Sequence, residues 1–181
     1  NAETDRLTRL VNDVLDLSRL ESDRVWSMEP VELRPAMEQT LRNYRLNADD
    51  KGVELLLEVD DQIPRVRGNW DLLLQIFDNL VGNALKYSPP DARVTISGQV
   101  VADHLEILVV DRGPGIPAPQ RDVVIRPFHR LDDTKQAGGL GLGLAIADRL
   151  LAAVGGRLEL RDTPSGGLTT AALLPLPGDI R

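Results

Sequence analysis

Two pairs of short β-rich segments constrain the fold of this chain more than any other feature of its sequence. The segments ARVTISGQV and HLEILVV flank a short polar break, and near the C-terminus RLELRD and LTTAALLPL flank a PSGG turn. Strand-like segments joined this closely are typical of antiparallel hairpins. Parallel neighbours would need a long crossover connection instead. The hairpin pairs therefore argue against a parallel doubly wound sheet.

The segments between and before these pairs have the pattern of helices. One helix is predicted from near Pro35 to about Asp50, where Gly52 ends it, and VELLLEV at 53–59 is predicted to be a strand. A second helix begins after Asn69, which is a typical N-cap residue, and carries apolar residues at helical spacing.

Two further helical segments complete the pattern. A short helix is predicted near 118–125, and LGLGLAIADRLLAAV at 140–154 is predicted to be an apolar helix opened by glycines. The order of helices and strands predicts an α/β (α+β) two-layer sandwich, in which a mixed sheet carries helices on one face.

The first residues of the chain have a different character. Leu7, Leu10, Val14 and Leu17 alternate three and four residues apart, as they do along the seam of a coiled coil. The apolar stripe is wide, which is typical of a helix that packs with others in a bundle. We interpret 1–22 as such a helix, 23–30 as a polar linker, 31–177 as the main domain and 178–181 as a tail.

The composition limits the classes of partner. The 181 residues carry a formal net charge of −7, and the sequence pI is about 4.9. Nucleic-acid binding needs a basic face, so we expect no nucleic-acid partner. The chain has no cysteine, which excludes disulfides and thiolate metal sites. No apolar run approaches the roughly 18 residues of a membrane span, so we expect no membrane contact by this chain.

The stretch DRGPGI at 111–116 follows an apolar strand. Asp, Gly and Pro are common turn residues, so an ordinary turn is one interpretation. A ligand site is the other, because Asp111 at a strand end can accept a hydrogen bond from an exocyclic amine such as adenine N6. Gly113 and Gly115 would leave room for a flat base. The stretch alone leaves both interpretations open.

The stretch NLVGNALKYS at 79–88 places Asn79, Asn83 and Lys86 on one helical face, next to Tyr87. Asn side chains are neutral oxygen donors suited to Mg²⁺, which often keeps waters and substrate phosphates as its other ligands. Lys86 can meet a phosphate as a point charge. Taken alone, the stretch is better explained as the polar face of an amphipathic helix.

The stretch GGLGLGLAI at 138–146 crowds glycines at the entrance to a helix. Glycines allow a ligand to approach the backbone, and the first free N–H groups of a helix form an anion site. A flexible loop or tight helix packing would explain the glycines as well. The stretch is not a Walker A loop, because no Gly-Lys-Ser/Thr follows. It is not a dinucleotide fingerprint either, because no strand leads directly into it.

Together these motifs resemble a known family. NLVGNALKYS resembles the N box of the sensor histidine kinases, DRGPGI their G1 box, IRPFHR their F box and GGLGLGLAI their G2 box, in the family's order and spacing. The resemblance covers about residues 30–176, and ETDRLTRLVNDVLDLSRLES resembles the second helix of their dimerisation domain. It implies the Bergerat ATP-binding fold of the GHKL superfamily, which holds ATP between a mixed sheet and a layer of helices.

The resemblance also implies a role for each matching residue. Asp111 would bind the adenine amine, Asn83 would be the main Mg²⁺ ligand, and Arg130 would reach the γ-phosphate from a lid at 130–139. The other implied ATP contacts are Asn79 near the metal, Lys86 near the phosphates, Tyr87, Gly113, Gly115 and Ile116 around the base, Gly139, Gly141, Gly143 and the Leu142 backbone around the phosphates, and Thr169, which would help Asp111 through water.

Three positions depart from the family pattern. Leu140 stands where the G2 box often has Thr, Ile125 where the F box often begins with Phe, and His129 where Tyr is more common. These changes concern the packing of the lid more than ATP binding.

The family transfers the γ-phosphoryl group to a His followed by an acid, and this context is missing here. The two histidines are His104, in the predicted hairpin, and His129, in the F box. We expect both to be surface or packing residues. The acceptor His and its acid are therefore expected on a segment that precedes this one, and no catalytic residue is expected within this chain.

The implied function is that of the ATP-binding domain of a histidine kinase. With ATP and Mg²⁺ it would phosphorylate a His on its own dimerisation domain, in a homodimer, for relay to an Asp of a response regulator. We expect a cytoplasmic domain of a membrane-anchored bacterial sensor. Two alternatives stay open. One is another ATPase of the same fold, which would have Glu at the position of Asn79 to activate water. The other is a non-catalytic nucleotide-sensing or dimerisation module.

Overall fold

The structure, a computed structural model, describes residues 26–129 and 141–177. The predicted N-terminal helix at 1–22, the lid at 130–139 with Arg130 and Gly139, and the tail at 178–181 lie outside the described residues. The strands are β1 (Glu29–Val31), β2 (Glu54–Glu58), β3 (Val66–Gly68), β4 (Arg93–Val101), β5 (His104–Val110), β6 (Arg157–Asp162) and β7 (Leu168–Pro175). The helices are α1 (Leu33–Lys51), α2 (Trp70–Tyr87), α3 (Arg121–Val124) and α4 (Gly143–Ala153), and a 3₁₀ turn at Ala118–Gln120 precedes α3.

The ends of the first two helices follow from local chemistry. Gly52 ends α1 in the left-handed region with φ of +71°, and its N–H donates to Asp49 O at 3.1 Å. The side chain of Asn69 caps α2 by accepting the backbone N–H groups of Asp71 and Leu72. Both boundaries confirm the predictions made from Gly52 and Asn69.

The main sheet is mixed, with the strand order β2-β4-β5-β7-β6. β2 runs parallel to β4, whereas the β4–β5, β5–β7 and β6–β7 pairs are antiparallel. Both predicted hairpins are present, and the predicted fold class of a mixed sheet with helices is confirmed.

A second, two-stranded sheet was not predicted. β1 pairs antiparallel with β3, and β1 begins at Glu29, within the segment interpreted as a linker. Trp26 and Met28, which precede it, pack partly buried against the core. The last residues of that segment therefore take part in the fold.

The core lies between the main sheet and the helices. On β5 the alternate residues Leu105, Ile107 and Val109 are fully buried, and they belong to one apolar cluster with the inward residues of α1, α2 and α4. Helix α2 contributes the largest buried side chain, Phe77. Such a helix is well suited to position a site, because its apolar side is fixed by the core while its polar residues face outward.

The opposite face of the sheet carries an ion-pair network. Glu106 on β5 is only 5% exposed, and Arg161 on β6 donates to it at 2.7 Å. Glu159 accepts from the same guanidinium at 2.6 Å, and Gln99 on β4 donates to Glu106 at 3.1 Å. These bonds tie strands together across the sheet.

Within residues 26–129 and 141–177, none of the helices has both the length and the apolar character needed to cross a membrane.

Candidate functional site

A cavity opens where α2, the loop after β5, the start of α4 and β7 meet. Seven of the residues predicted from the sequence line it: Asn83, Tyr87, Asp111, Gly115, Ile116, Gly141 and Gly143. Five others that the structure describes are not among its lining residues: Asn79, Lys86, Gly113, Leu142 and Thr169.

Asp111 lines the cavity and directly follows β5. It is 5% exposed, and its Oδ1 accepts the backbone N–H of Gly113 at 2.8 Å and of Leu168 at 2.9 Å. Its own N–H donates to Leu168 O at 2.9 Å. In the described part of the chain both bonds to the carboxylate end on Oδ1, so Oδ2 is left to accept from a ligand.

The environment of Asp111 acts on its pKa in two directions. Burial raises the pKa of this carboxyl group, and the N–H bonds from Leu168 and Gly113 oppose the rise. A buried carboxylate held by backbone donors is a fixed hydrogen-bond acceptor, which is the requirement for selecting an amine on a ligand.

The glycines after Asp111 are required by close backbone approaches. A Cβ on Gly113 would stand 2.8 Å from the carbonyl oxygen of Tyr87, so this glycine allows the loop to pass the end of α2. Gly115 has a φ of +71°, and a Cβ there would stand 2.9 Å from Gly167 O. Gly113 thus serves the packing of the loop, while Gly115 also lines the cavity.

Asn83 lies on the cavity side of α2, against the first residue of α4. A Cβ on Gly143 would stand 2.9 Å from Asn83 Nδ2 and 3.1 Å from Oδ1. The missing side chain at 143 therefore makes the space in which the carboxamide of Asn83 lies.

Two neighbours of Asn83 on α2 have local partners. The side chain of Asn79 donates to Gln75 O in its own helix at 2.8 Å. The ammonium of Lys86 donates to the Tyr87 hydroxyl oxygen at 3.1 Å and stands 4.7 Å from the centre of the Tyr87 ring. Lys86 therefore lies beside a lining residue without lining the cavity itself.

The N-terminus of α4 lies at the cavity, which Gly141, Gly143 and Leu144 line. Gly141 has a φ of +74°, and Leu142 is the N-cap residue, with no side-chain cap bond in the described part of the chain. The side chain of Leu142 is 1% exposed and packs in the core, so only its backbone can meet a ligand. The N–H groups of a helix start such as this one favour an anion.

Thr169 is not among the residues that line the cavity. Its hydroxyl pairs with that of Thr163 at 2.9 Å in a buried contact. The next residue, Thr170, lines the cavity instead, and its hydroxyl lies 3.4 Å from Val109 O. Consecutive residues of a strand face opposite sides of a sheet, which accounts for the difference.

Sequence reasoning missed seven lining residues, most of them apolar: Ala84, Pro114, Val124, His129, Leu144, Leu168 and Thr170. Ala84, Pro114 and Leu144 are sequence neighbours of predicted residues, so proximity along a helix or loop was an available signal. Leu168 and Thr170 flank the predicted Thr169, and His129 precedes the predicted Arg130. Val124 has no predicted neighbour in the sequence, and only the tertiary fold brings it to the cavity.

The metal-binding side chains of the cavity suit a metal ion that is coordinated mostly by the phosphates of a bound nucleotide and by water. Within the described ranges, no three His, Cys, Asp or Glu side chains cluster as metal ligands. The carboxamide oxygen of Asn83, in the space left by Gly143, is a hard neutral donor. Mg²⁺ accepts such a site when phosphates and waters complete its coordination. The residues present therefore fit Mg²⁺ brought with a nucleotide.

Comparison with known proteins identifies the family to which this chain belongs. Residues 68–178 match the family model described as histidine kinase-, DNA gyrase B-, and HSP90-like ATPase. Over 165 residues, 83% of this chain, the sequence is 38% identical to an uncharacterized sensor-like histidine kinase, ycf26, of Porphyra purpurea. Over 180 residues it is 36% identical to the signal transduction histidine-protein kinase/phosphatase MprB of Mycobacterium tuberculosis.

This chain spans 25% of the length of the ycf26 protein and 35% of that of MprB. Solved structures agree. Full-length ShkA in complex with AMPPNP superposes with a TM-score of 0.84 and 29% identity, over 97% of this chain and 37% of that one. The mycobacterial sensor histidine kinase MprB superposes with a TM-score of 0.70 and 31% identity, over 83% of this chain and 98% of that one. The chain therefore belongs to the histidine kinase-, DNA gyrase B- and HSP90-like ATPase family, as the ATP-binding domain of a sensor histidine kinase.

Proposed function

We propose that this domain binds Mg-ATP in the described cavity, with the adenine amine donating to Asp111. The buried carboxylate, held through Oδ1 by two backbone N–H groups, is the observation that carries the proposal. Adenine is distinguished from guanine by the amine at this position, since guanine has a carbonyl oxygen there. Ile116, Gly115 and Tyr87 line the cavity beside the acid and would enclose the base.

The triphosphate would extend from the base toward Asn83 and the start of α4. Asn83 would hold Mg²⁺, with Asn79 nearby, and the metal would neutralise charge on the phosphates. Gly141, Gly143 and the Leu142 backbone would receive the phosphates at the helix N-terminus. Lys86, Gly113, Arg130 and Gly139 remain predicted ATP contacts. Thr170 replaces Thr169 as the threonine that we propose for the base.

The partner of the reaction lies outside this domain. We propose that the whole protein is a homodimer in which the γ-phosphoryl group passes from ATP to a His nitrogen of the dimerisation domain, leaving ADP. A response-regulator Asp would then receive the group. Phosphoryl transfer of this kind needs alignment and charge neutralisation more than covalent help from the enzyme. Since ATP is cytoplasmic, we place this domain on the cytoplasmic side of a membrane-anchored sensor.

Calorimetry with Mg-ATP tests the binding site. Asp111→Asn keeps the shape of the side chain. It replaces two acceptor oxygens by one acceptor oxygen and one NH₂ donor. Loss of a charge-assisted bond costs about 1.5–3 kcal/mol, so we expect affinity to fall about ten- to a hundredfold while the fold survives. Near-normal affinity in Asp111→Asn would overturn the assignment.

A mixing experiment tests the reaction. This chain, Mg-ATP and a separate dimerisation domain carrying the acceptor His should give labelled His in trans. Substantial ATP turnover by the chain alone would favour the ATPase alternative. The side chain of Asn79 argues against that alternative, because an amide bonded to Gln75 O is not a base for activating water. ATP binding without transfer would favour the nucleotide-sensing module.

A further inference from the structure

The segment that joins β5 to α3 carries Ile116 into the cavity wall but has little structure of its own. Between Asp111 and Arg121 it contains two glycines and three prolines, and its only regular element is the 3₁₀ turn at Ala118–Gln120. Its position therefore depends on bonds to the rest of the domain. The hairpin of β6 and β7 supplies these bonds at both ends of the segment.

The first end is tied at the start of β7. Asp111 exchanges bonds with Leu168, and a Cβ on Gly167 would stand 2.1 Å from Asp111 O, so the two backbones are in contact. Arg112 adds a bond of 2.7 Å to Pro164 O in the turn between β6 and β7. These contacts fix the position of the start of the segment, but they do not hold the residues that follow Arg112.

The second end is tied by Arg121. Its Nε donates to Ile116 O at 3.0 Å, and its Nη2 donates to Asp162 Oδ1, at the end of β6, at 2.5 Å. One guanidinium thus links the carbonyl of a cavity-lining residue to a strand of the main sheet. Its side chain is 18% exposed, whereas that of Asp162 is 82% exposed.

The exposed fractions of Arg121 and Asp162 help to decide whether Arg121 stabilises the fold or restrains Ile116. An ion pair with so exposed a carboxylate contributes little to the stability of the fold. The bond to Ile116 O, in contrast, restrains a residue of the segment whose apolar side chain lines the cavity. If the bond is lost, the segment must be ordered when a ligand binds, and ordering on binding lowers affinity.

We propose that Arg121 is a positioning residue for the base end of the nucleotide site, acting through Ile116 with Asp162 as its fixed point. The inference rests on the proposed function, since it takes the ligand at this end to be the adenine of ATP. It predicts that substitution of Arg121 weakens nucleotide binding more than it weakens the fold.

The test compares Arg121→Met, which keeps the aliphatic stem, with Arg93→Met on the 181-residue chain. Arg93 on β4 pairs with Glu54 on β2, at the edge of the sheet opposite to β6. This control therefore removes the same charge from an exposed ion pair. Calorimetry gives the Mg-ATP dissociation constant, denaturant unfolding gives the stability, and amide exchange follows residues 113–120 without nucleotide. We expect Arg121→Met to bind Mg-ATP about three- to tenfold more weakly than Arg93→Met, the change expected for one net hydrogen bond. Exchange at 113–120 should be faster, and the two stabilities should be similar.

Substitutions of Asp162 provide the rescue. Asp162→Asn keeps an acceptor for Arg121 and should stay close to wild-type affinity, whereas Asp162→Ala should weaken binding in the direction of Arg121→Met. The inference is overturned if Arg121→Met binds within about twofold of Arg93→Met, or if its loss of affinity comes with unchanged amide exchange at 113–120.

The same series separates this inference from the proposed function. If Asp111→Asn weakens Mg-ATP binding as expected while Arg121→Met binds normally, only the role proposed for Arg121 is wrong. If Asp111→Asn binds normally, the adenine site is misplaced, and the inference falls with it.

Discussion

The carboxamide of Asn83 on α2 lies in the space left by the missing side chain of Gly143, the first residue of α4. A Cβ on Gly143 would stand 2.9 Å from Nδ2 of Asn83 and 3.1 Å from its Oδ1. The helix predicted to hold the metal and the helix predicted to hold the phosphates therefore meet at these two residues. A change at one should alter the function of the other.

Gly143→Ala should weaken Mg-ATP binding through this contact. The added methyl group would displace the carboxamide, and disturbing the support of a metal ligand costs about tenfold or more in affinity. The stability should change little, because the displaced atoms are the end of a side chain and Ala favours helix over Gly. In a cycle with Asn83→Ala, the two losses should not add. Additive losses would show that Gly143 acts without Asn83.

Thr170→Val should weaken ATP binding, whereas Thr169→Val should not. Only Thr170 lines the cavity, while the Thr169 hydroxyl pairs with Thr163. We expect a loss of affinity of about two- to tenfold for Thr170→Val. For Thr169→Val we expect about 1 kcal/mol less unfolding free energy with normal affinity. Calorimetry and denaturant unfolding measure both, and the reverse pattern would return the role to Thr169.

Glu106 should make the fold sensitive to acid. The bond from Arg161 holds the pKa of Glu106 at about 2, below its ordinary value of 4.5. Because the folded pKa is the lower one, this stabilisation is complete above about pH 4.5 and is lost as the pH falls toward about 2. A shift of this kind contributes on the order of 1–3 kcal/mol.

Unfolding by denaturant at a series of pH values tests this. Glu106→Gln should lower the stability at pH 7 and flatten its dependence on pH in the acid range. Glu54→Gln, in an exposed pair with Arg93, is the control and should have little effect. An equally steep acid dependence in Glu106→Gln would assign the acid sensitivity to other groups.

Lys51 should stabilise the end of α2. Its ammonium donates to Leu85 O at 2.8 Å and to Lys86 O at 2.7 Å, two carbonyls without helical partners ahead of them. Lys51→Met should lower the unfolding free energy by about 1–3 kcal/mol. Lys51→Arg keeps the charge at the helix C-terminus and should lose less. Equal losses in both variants would mean that the geometry of the ammonium, rather than its charge, is required.

Asn69 should connect the segment at 26–31 to the start of α2. Its Oδ1 caps the helix, and its Nδ2 donates to Ser27 O at 3.2 Å. Asn69→Ala should cost about 1 kcal/mol of stability, the usual value of an N-cap. Asn69→Asp keeps the cap but loses the donor, so it should retain stability while amide exchange at residues 26–31 becomes faster. Unchanged exchange there would show that the bond to Ser27 is not needed.

Local patterns were sufficient for most of the fold. The two hairpins, the end of α1 at Gly52 and the start of α2 after Asn69 were predicted because turn and cap chemistry depends on a few consecutive residues. β1 and β3 were missed because strands of three residues have too little alternation to recognise, and their pairing is between distant segments.

The site shows the same division. The residue types at 83, 111 and 143 could be recognised in the sequence because the boxes they belong to are contiguous and ordered. The sequence did not show which side of the sheet Thr169 and Thr170 face. Leu168 to Leu174 are all buried, so the strand lacks the alternation of polar and apolar residues that distinguishes two faces.

Consecutive residues were enough to predict the hairpins and the helices of the described part of the chain, since periodicity and caps are local properties. The kind of ligand was indicated by the order of four motifs along the sequence, through their resemblance to a known family. The contact of Asn83 with Gly143, the side on which Thr170 lies and the link from Ile116 through Arg121 to Asp162 depended on the packing of the folded chain. These relations join segments far apart in the chain, and strand register and helix packing, which no local pattern encodes, bring those segments together.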